Sequence, residues 1–202
     1  EQDAQLLESL GVHFIFAPAP EEMYTEEEMK TSFSFDFNGL DEVMEGKMRP
    51  GHFNGVVQVV SRLFELVRPT RAYFGEKDFQ QLAIIRHMVD QSSLAGQFEG
   101  LKIIGCPIVR EKSGLAMSSR NERLSENEKQ IAVGISKTLI SSVEWAKNTS
   151  VEDVKQRVID TINAIDGLEV EYYEIVNSLT MQSVNSWYDC ENITGCITVY
   201  CG

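Results

Sequence analysis

The chain has 202 residues, of which 43% are apolar and 24% are charged, and its formal net charge is −13. This composition is typical of a globular protein with a real core, arranged as one large domain or two small ones. The negative charge repels a phosphate backbone and argues against a nucleic acid partner. It does not exclude the binding of a nucleotide in a local basic pocket. No apolar run approaches the ~20 residues of a membrane span, so we expect no membrane partner.

The first third of the chain predicts short elements separated by acidic segments. Residues 3–10 fit the end of a helix, and "HFIFAPA" then fits a short buried strand. The acidic stretch "EEMYTEEEMK" is interpreted as a loop or an irregular helix. The alternation in "SFSFDF" (residues 32–37) predicts a strand with one wet face.

The middle of the chain alternates helices and strands. The segment "RPGHFNGVVQVVSRLFELVRP" predicts an amphipathic helix, because apolar residues recur at helical spacing. We expect "AYFG" to be a buried strand, "DFQQLAIIRHMVDQ" a helix and "LKIIGCPIV" (101–109) a second strand. The apolar stripe predicted for the first of these helices comprises Val56, Val59, Val60, Leu63, Phe64 and Val67.

The last third predicts two helices followed by two strands. A capping box, Ser125-x-x-Glu128, opens a helix that runs to about Lys147, and Ser150 opens another that ends near Gly167. The strands are expected in "EVEYYEIVN" and "GCITVYCG".

This order of elements predicts an α/β fold. Strands and helices alternate up to about residue 109, as in a Rossmann-like parallel sheet, and a smaller α+β unit follows. We place the boundary in the "VREKSG" segment, which gives predicted domains at 1–109 and 110–202.

Cysteine and histidine do not predict a metal site. The four cysteines form no CxxC pair, and the three histidines are scattered without an HxxxH pair. We interpret the cysteines as buried free thiols in a reducing cytosol. They are Cys106, Cys190, Cys196 and Cys201.

The turn after "AYFG" carries residues suited to a phosphate. In a parallel sheet, ligands bind at the carboxyl ends of the strands, and this turn brings Gly75, Lys77 and Asp78 to that edge. Gly75 would permit a sharp turn and a close approach to a ligand. The following helix start and the Lys77 ammonium both favour an anion. Asp78-x-x-Gln81 also fits a capping box, which would explain Asp78 structurally but leaves Lys77 unexplained.

A second loop, "SGLAMSSRNERL", has similar chemistry. Ser118, Ser119 and Arg120 offer two hydroxyl donors and a guanidinium fork for phosphate oxygens, and Gly114 offers flexibility. Such residues are common in structural loops, so the argument depends on the two loops occurring together, each after a predicted strand. The sequence has neither GxxxxGK[ST] nor GxGxxG, which argues against a P-loop kinase and a nicotinamide Rossmann enzyme.

Three segments, "RPGHFNGV", "FGEKDFQQL" and "GLAMSSRNERLS", resemble the pantoate–beta-alanine ligase family of the nucleotidyltransferase superfamily. The resemblance runs over nearly the whole chain. It implies an AMP-forming ligase that makes a C–N bond: ATP and pantoate give pantoyl adenylate and pyrophosphate, and the beta-alanine amine then gives pantothenate and AMP. It also implies ATP and Mg²⁺ as cofactors, Mg²⁺ being held through ATP and not by protein ligands, a cytoplasmic location and a homodimer in the full-length protein.

The resemblance also implies site residues. Lys77, Ser118, Ser119 and Arg120 would be catalytic, and Gln81 would bind pantoate. The ATP-binding residues would be Gly75, Glu76, Lys77, Asp78, Val109 (through its backbone, at the adenine), Met117, Ser118, Ser119 and Arg120.

The sequence departs from the family pattern at several points. It contains no "HxGH" segment and no counterpart of a further substrate-binding glutamine, and Asn54 stands where the family usually has arginine. His52 is interpreted as structural, capping or orienting the helix that follows it. We expect a chain that lacks the N-terminal strands of its first domain and a short closing segment, and that is inactive alone.

Two other functions are compatible with these residues. One is a non-catalytic nucleotide-binding or scaffold protein of the same fold, which would show no turnover. The other is a different nucleotidyltransferase, such as a cytidylyltransferase relative, against which "GEKDFQQL" argues.

Overall fold

The structure, a computed structural model, describes residues 2–27 and 33–202. The chain divides into two compact units, residues 1–34 and residues 35–202. The first unit contains helix α1 (Gln2–Ser9) and the short helix α2 (Pro20–Met23). Among the helices of the described residues, none combines the length and the apolar character that crossing a bilayer requires.

The strand predicted in "HFIFAPA" is wrong. Residues 12–19 have no strand conformation, and the Phe14 side chain is 92% exposed. A β-strand needs a neighbouring backbone to complete its hydrogen bonds, and no described strand pairs with this segment. In the stretch predicted at 32–37, residue 32 lies outside the described residues and 33–37 form no strand; residues 28–30 of the acidic stretch also lie outside them.

The second unit follows the predicted order of helices and strands. Its two short 3₁₀ turns are Glu76–Asp78 and Ser119–Arg123. Its other elements are α3 (Met44–Met48), α4 (His52–Val67), β1 (Arg71–Gly75), α5 (Phe79–Leu94), β2 (Lys102–Cys106), α6 (Glu126–Trp145), α7 (Val151–Asn163), β3 (Leu168–Asn177) and β4 (Ile193–Cys201).

Helix α4 was predicted correctly as amphipathic, but its buried face is rotated from the predicted stripe. Phe53, Val57 and Phe64 are the buried residues of this helix. Val59 and Val67, which were assigned to the stripe, are exposed. The buried residues lie four and seven positions apart, so one helical face carries them all.

Strands β1 and β2 are parallel neighbours joined by α5. Their register pairs Arg71 with Lys102 and Gly75 with Cys106, so both strands end at the same edge. Helix α5 crosses over one face of the pair and buries Ile84 and Ile85 completely. This β–α–β unit positions the turn after Gly75 and the segment after Cys106 side by side, as the sequence predicted.

The C-terminal part of the unit pairs β3 with β4 in an antiparallel sheet. Helices α6 and α7 pack with that sheet around a second apolar cluster. The capping box at the start of α6 is confirmed: Ser125 Oγ accepts from the Glu128 N–H at 3.3 Å, and the Glu128 carboxylate accepts from the Ser125 N–H at 2.7 Å. Ser150 caps α7 in a similar way, accepting from the Asp153 N–H at 3.1 Å. The parallel and antiparallel pairs together confirm the predicted α/β class.

The first apolar cluster draws on residues from both sides of the predicted domain boundary. It is built mainly on α4 and α5, and it also contains Val176 and Met181, which are 1% and 0% exposed. The division at 109/110 therefore stays a prediction.

The four cysteines are free thiols, and all are half-buried and not fully buried. Burial raises the pKa of Cys196 to about 12, so this thiol stays protonated at neutral pH.

Candidate functional site

The turn after β1 presents Lys77 to solvent. The Lys77 Nζ lies 3.7 Å from Asp78 Oδ1, and the two side chains are 38% and 59% exposed. An exposed pair of this kind is worth at most about 1 kcal/mol. The Lys77 ammonium can therefore exchange this partner for a bound anion at little cost.

Two sequence arguments about this turn are wrong. Gly75 has φ −72° and ψ 134°, which any residue adopts, so no sharp turn requires glycine there. A Cβ at this position would meet no heavy atom within 4 Å, so the backbone is open to close approach. Among the described residues, Asp78 makes no capping hydrogen bond, because the 3₁₀ turn that begins at Glu76 continues directly into α5.

Gln80, which the sequence analysis did not single out, ties the start of α5 to the segment before α4. Its side chain is buried, and Nε2 donates to the carbonyl oxygens of Leu40 at 2.7 Å and Val43 at 2.9 Å. Its Oε1 accepts from the Glu45 N–H at 3.1 Å. A glutamine inside a helix carries no sequence signal for such a role.

Gln81, the expected pantoate contact, differs from its neighbour. It lies in the first turn of α5 and is half-buried. Its amide makes no recorded hydrogen bond to the described part of the chain, which leaves both its donor and its acceptor available to a ligand.

The segment that follows β2 forms a compact hairpin, residues 109–117, and not an open linker. The Met117 N–H donates to the Val109 carbonyl at 2.9 Å, and the Glu111 N–H donates to the Leu115 carbonyl at 2.8 Å. Leu115 is buried against α6, which anchors the tip. The Val109 carbonyl thus accepts one hydrogen bond within the hairpin and keeps a second lone pair, and no hydrogen bond from the Val109 N–H is recorded in the described residues.

Gly114 has a conformational requirement within the 109–117 hairpin. Its φ is +97°, and an added Cβ would lie 3.3 Å from Ser136 Oγ. We expect Gly114→Ala to lower the free energy of unfolding by about 1–2 kcal/mol, measured by urea denaturation. Gly55→Ala is the control, since Gly55 is helical with open space around it, and equal stability of the two variants would contradict the assignment.

The residues after the hairpin form the second predicted donor group. Ser118 Oγ accepts from the Arg120 N–H at 3.3 Å and caps the 3₁₀ turn Ser119–Arg123, so Ser118 has a structural role as well. The side chains of Met117, Ser119 and Arg120 are exposed. Ser119 and Arg120 are therefore accessible to a ligand.

A cavity of about 490 Å³ lies beside this loop, but its charges do not suit a phosphate. Glu111 and Glu122 contribute carboxylates to its wall. The pKa of Lys129 is raised chiefly by Glu126 and then by Glu111 and Glu122. The positive charge of this lysine, the only one in the cavity wall, is therefore already balanced by carboxylates. We therefore expect phosphate groups on the Arg120 side of the loop. The cavity is lined by Glu111, Met117, Ser118, Ser119, Asn121, Glu122 and Lys129.

Arg120 lies within electrostatic reach of the start of α4. Burial lowers the pKa of His52, and the charges of Arg49 and Arg120 lower it further, against an opposing effect of Glu45. Arg49 Nη1 lies 2.5 Å from Glu45 Oε1 and 3.1 Å from His52 Nε2. Since Gln80 holds the Glu45 backbone, these contacts connect the start of α4 with the start of α5. No direct contact between Lys77 and Arg120 is recorded among the described residues.

His52 and Asn54 lie in the first turn of α4 in different surroundings. His52 is the first residue of α4 and provides no capping bond; it contacts Arg49 instead. The Asn54 Oδ1 is buried without a hydrogen-bond partner in the described structure. Asn54 lies two positions after His52, so the two side chains do not share a helical face.

A family model described as Pantoate-beta-alanine ligase matches residues 1–202. The chain belongs to the pantoate–beta-alanine ligase family. Pantothenate synthetase of Phocaeicola vulgatus is 54% identical over 202 residues, which are the whole chain and 69% of that relative, and the enzyme of Bacteroides fragilis (strain YCH46) is 53% identical over the same shares. The resemblance found in the sequence is thereby confirmed.

Solved structures agree with this membership in the pantoate–beta-alanine ligase family. Pantothenate synthetase from Thermus thermophilus superimposes with a TM-score of 0.87 at 36% identity, covering 97% of this chain and 68% of that one. Pantoate-beta-alanine ligase from Francisella tularensis, solved in complex with beta-gamma ATP and beta-alanine, gives a TM-score of 0.66 at 28% identity, covering 97% and 69%. The fold of this ligase family is therefore the fold of the chain.

Proposed function

We propose that this chain carries the site for the ATP-dependent condensation of pantoate with beta-alanine to pantothenate. The observation that carries the proposal is the family match over all 202 residues. The Francisella relative, solved with a form of ATP and with beta-alanine, supports the same ligands here.

In the first half-reaction, a pantoate carboxylate oxygen attacks the α-phosphorus of ATP and pyrophosphate leaves. Negative charge builds on the phosphate oxygens as the bond to pyrophosphate breaks. Lys77 and Arg120 are the cations that would stabilise that charge, and both side chains are accessible. The Ser118 and Ser119 hydroxyls would donate to the same oxygens, and Met117 would cover them.

The sheet edge would hold the remaining parts of the substrates. Gly75, Glu76 and Asp78 would lie along ATP, and the Val109 N–H would contact the adenine. The amide of Gln81 would hold pantoate with its carboxylate directed at the α-phosphorus. The beta-alanine amine then attacks the acyl carbon, and AMP leaves.

The donor set of the chain fits a Mg²⁺ ion that is held by the nucleotide. In residues 2–27 and 33–202, no group of three or more His, Cys, Asp or Glu side chains could hold a metal. Mg²⁺ prefers phosphate oxygens and water over an all-protein cage, and bound in this way it would neutralise phosphate charge.

We further propose a homodimer and a cytoplasmic location. The family resemblance supports both, and the free cysteines are consistent with a reducing compartment.

Nucleotide binding tests the proposal on the 202 residues themselves. ATP with Mg²⁺ at 100 times its Kd should stabilise the chain by about 2.7 kcal/mol. For a protein of this size this corresponds to a rise in Tm of roughly 5–11 °C, measured by differential scanning fluorimetry. CTP is the control. A folded protein with no response to ATP, or a larger response to CTP, would contradict the proposal.

A turnover assay tests the expectation that the 202 residues are inactive by themselves. The measurement is pantoate-dependent release of AMP from ATP. The 202 residues contain no "HxGH" segment, so the expectation that they release no AMP by themselves stays a prediction. Normal turnover by the 202 residues would show that expectation to be wrong and would leave the ligase assignment intact.

A further inference from the structure

Two side chains of opposite charge meet over Gly105, the residue before the end of β2. A Cβ on Gly105 would lie 3.0 Å from Arg86 Nη2, 3.0 Å from Glu76 Oε1 and 3.2 Å from Leu82 Cδ2. Since both charged atoms lie 3.0 Å from one point, they are at most twice that distance apart. They share one face of the strand, and a side chain at this position would displace both of them.

The register of the parallel strands explains why these two residues meet. Cys106, the last residue of β2, pairs with Gly75, the last residue of β1. Glu76 is therefore the first residue beyond the edge, directly beside the end of β2. Arg86 lies in the second turn of α5, the helix that crosses over the same two strands. Both side chains are half-buried.

The charges of Glu76 and Arg86 have no other partner in the part of the chain that the structure describes. No hydrogen bond or ion pair of either side chain is recorded there. Half-buried charges interact more strongly than charges in water, because the surrounding dielectric constant is lower. The opposite charge that faces each of them across Gly105 is that of the other.

The turn Glu76–Asp78 has an unfavourable charge balance for its proposed ligand. It carries two carboxylates and one ammonium, in a chain whose net charge is −13. Lys77 Nζ already lies 3.7 Å from Asp78 Oδ1. A second carboxylate beside Lys77 would compete with a phosphate for the ammonium and would repel the nucleotide. The Arg86 guanidinium supplies the positive charge that balances the turn.

We propose that Arg86 is a positioning residue for ATP, which holds the Glu76 carboxylate over Gly105 and away from Lys77. This inference rests on the proposed function, in which Lys77 stabilises the phosphates. Glu76 then lines the ATP site through its backbone, and Arg86 itself does not touch the nucleotide. Without Arg86, the Glu76 carboxylate is free to pair with Lys77 or to face the phosphates, and either change weakens ATP binding.

The experiment measures the Kd of ATP with Mg²⁺ by isothermal titration calorimetry on the natural full-length protein and its variants. Arg86→Met removes the charge and keeps an unbranched side chain, and it should raise the Kd about tenfold. Glu76→Gln should bind ATP at least as tightly as the unmodified protein, because it removes a negative charge. When both substitutions are combined, the Kd should return to within about twofold of that of Glu76→Gln alone.

The recovery in the double variant distinguishes a positioning role from a purely structural one. If Arg86 only packed against the fold, Arg86→Met would weaken ATP binding equally with glutamate or glutamine at position 76. Equal weakening in the two cases would overturn the proposal. No weakening by a folded Arg86→Met protein would also overturn it.

Arg62→Met is the matched control for Arg86→Met. Arg62 is also a half-buried arginine on a helix that faces a glutamate, since its Nη1 lies 3.1 Å from Glu65 Oε2. It belongs to the part of α4 that leads to the start of β1, at the opposite end of the strand from the turn. Its Kd should stay within about twofold of the unmodified value. A rise as large as that of Arg86→Met would overturn the assignment.

Gly105→Ala repeats the test with both charges in place, and it decides the case if Arg86→Met does not fold. The added methyl group would lie 3.0 Å from both charged atoms, so the two groups must move apart. The Kd should rise several-fold, and adding Glu76→Gln should again restore it. An unchanged Kd, or a rise that Glu76→Gln does not reverse, would overturn the proposal.

ATP binding by the unmodified protein separates this inference from the proposed function. If that protein binds ATP and Arg86→Met binds it equally well, the positioning role is wrong and the proposed function stands. If the folded, unmodified protein does not bind ATP, both are overturned.

Discussion

Replacing Lys77 with alanine is expected to lower the rate of adenylate formation by about 100-fold or more without unfolding the protein. Removing one preorganised donor from developing negative charge costs this much in other enzymes. Folding should be unaffected, because Lys77 is exposed and its only recorded ion pair in the described chain is with Asp78. The measurement is pantoate-dependent exchange of labelled pyrophosphate into ATP. It is made on the natural full-length protein.

Lys102→Ala is the matched control for this prediction. Lys102 is an exposed lysine of the same parallel sheet, but it lies at the start of β2, at the opposite end from Lys77. It should leave exchange within about twofold of the unmodified protein. Should Lys77→Ala reduce exchange no more than Lys102→Ala, the role given to Lys77 is wrong.

Gln80→Ala is expected to have the largest effect on stability. The substitution removes three hydrogen bonds and leaves the Leu40 and Val43 carbonyls and the Glu45 N–H without their partner. At about 1 kcal/mol for each bond, the free energy of unfolding should fall by about 3 kcal/mol. This corresponds to a fall in Tm of roughly 6–12 °C, measured by differential scanning calorimetry.

Gln81→Ala provides the comparison. Its side chain makes no recorded bond to the described chain, so the Tm should stay within about 1–2 °C of the unmodified value. Its affinity for pantoate should fall, because the proposed contact is lost. A large loss of stability in Gln81→Ala, or none in Gln80→Ala, would show that the two roles have been assigned to the wrong residues.

Much of the fold follows from local patterns in the sequence. The β1–α5–β2 unit was predictable because a short apolar run, a polar turn and a periodic helix follow one another. Ser125 and Glu128 predicted the start of α6 because a capping box is a local motif whose partners lie three residues apart. The turn after β1 could be located for the same reason, since it follows its strand directly, whereas the 109–117 hairpin separates Ser118, Ser119 and Arg120 from β2.

Interactions between distant segments could not be predicted in this way. Gln80 bonds to residues 35–40 positions away, and nothing around it in the sequence indicates these partners. The strand expected at 13–19 failed because its apolar composition is local, while strand formation depends on a neighbouring backbone. The conformation of Gly75 was also misjudged, because glycine permits an unusual φ but does not require one.

Gln80 and Gln81 are adjacent, but Gln80 bonds to the protein, whereas Gln81 is proposed to bond to pantoate. In a mutational survey that measures growth without added pantothenate, we expect substitutions at both positions to reduce growth to a similar extent. Cellular abundance of the protein would tell them apart, since a weakened fold is degraded while an intact fold with a lost contact accumulates.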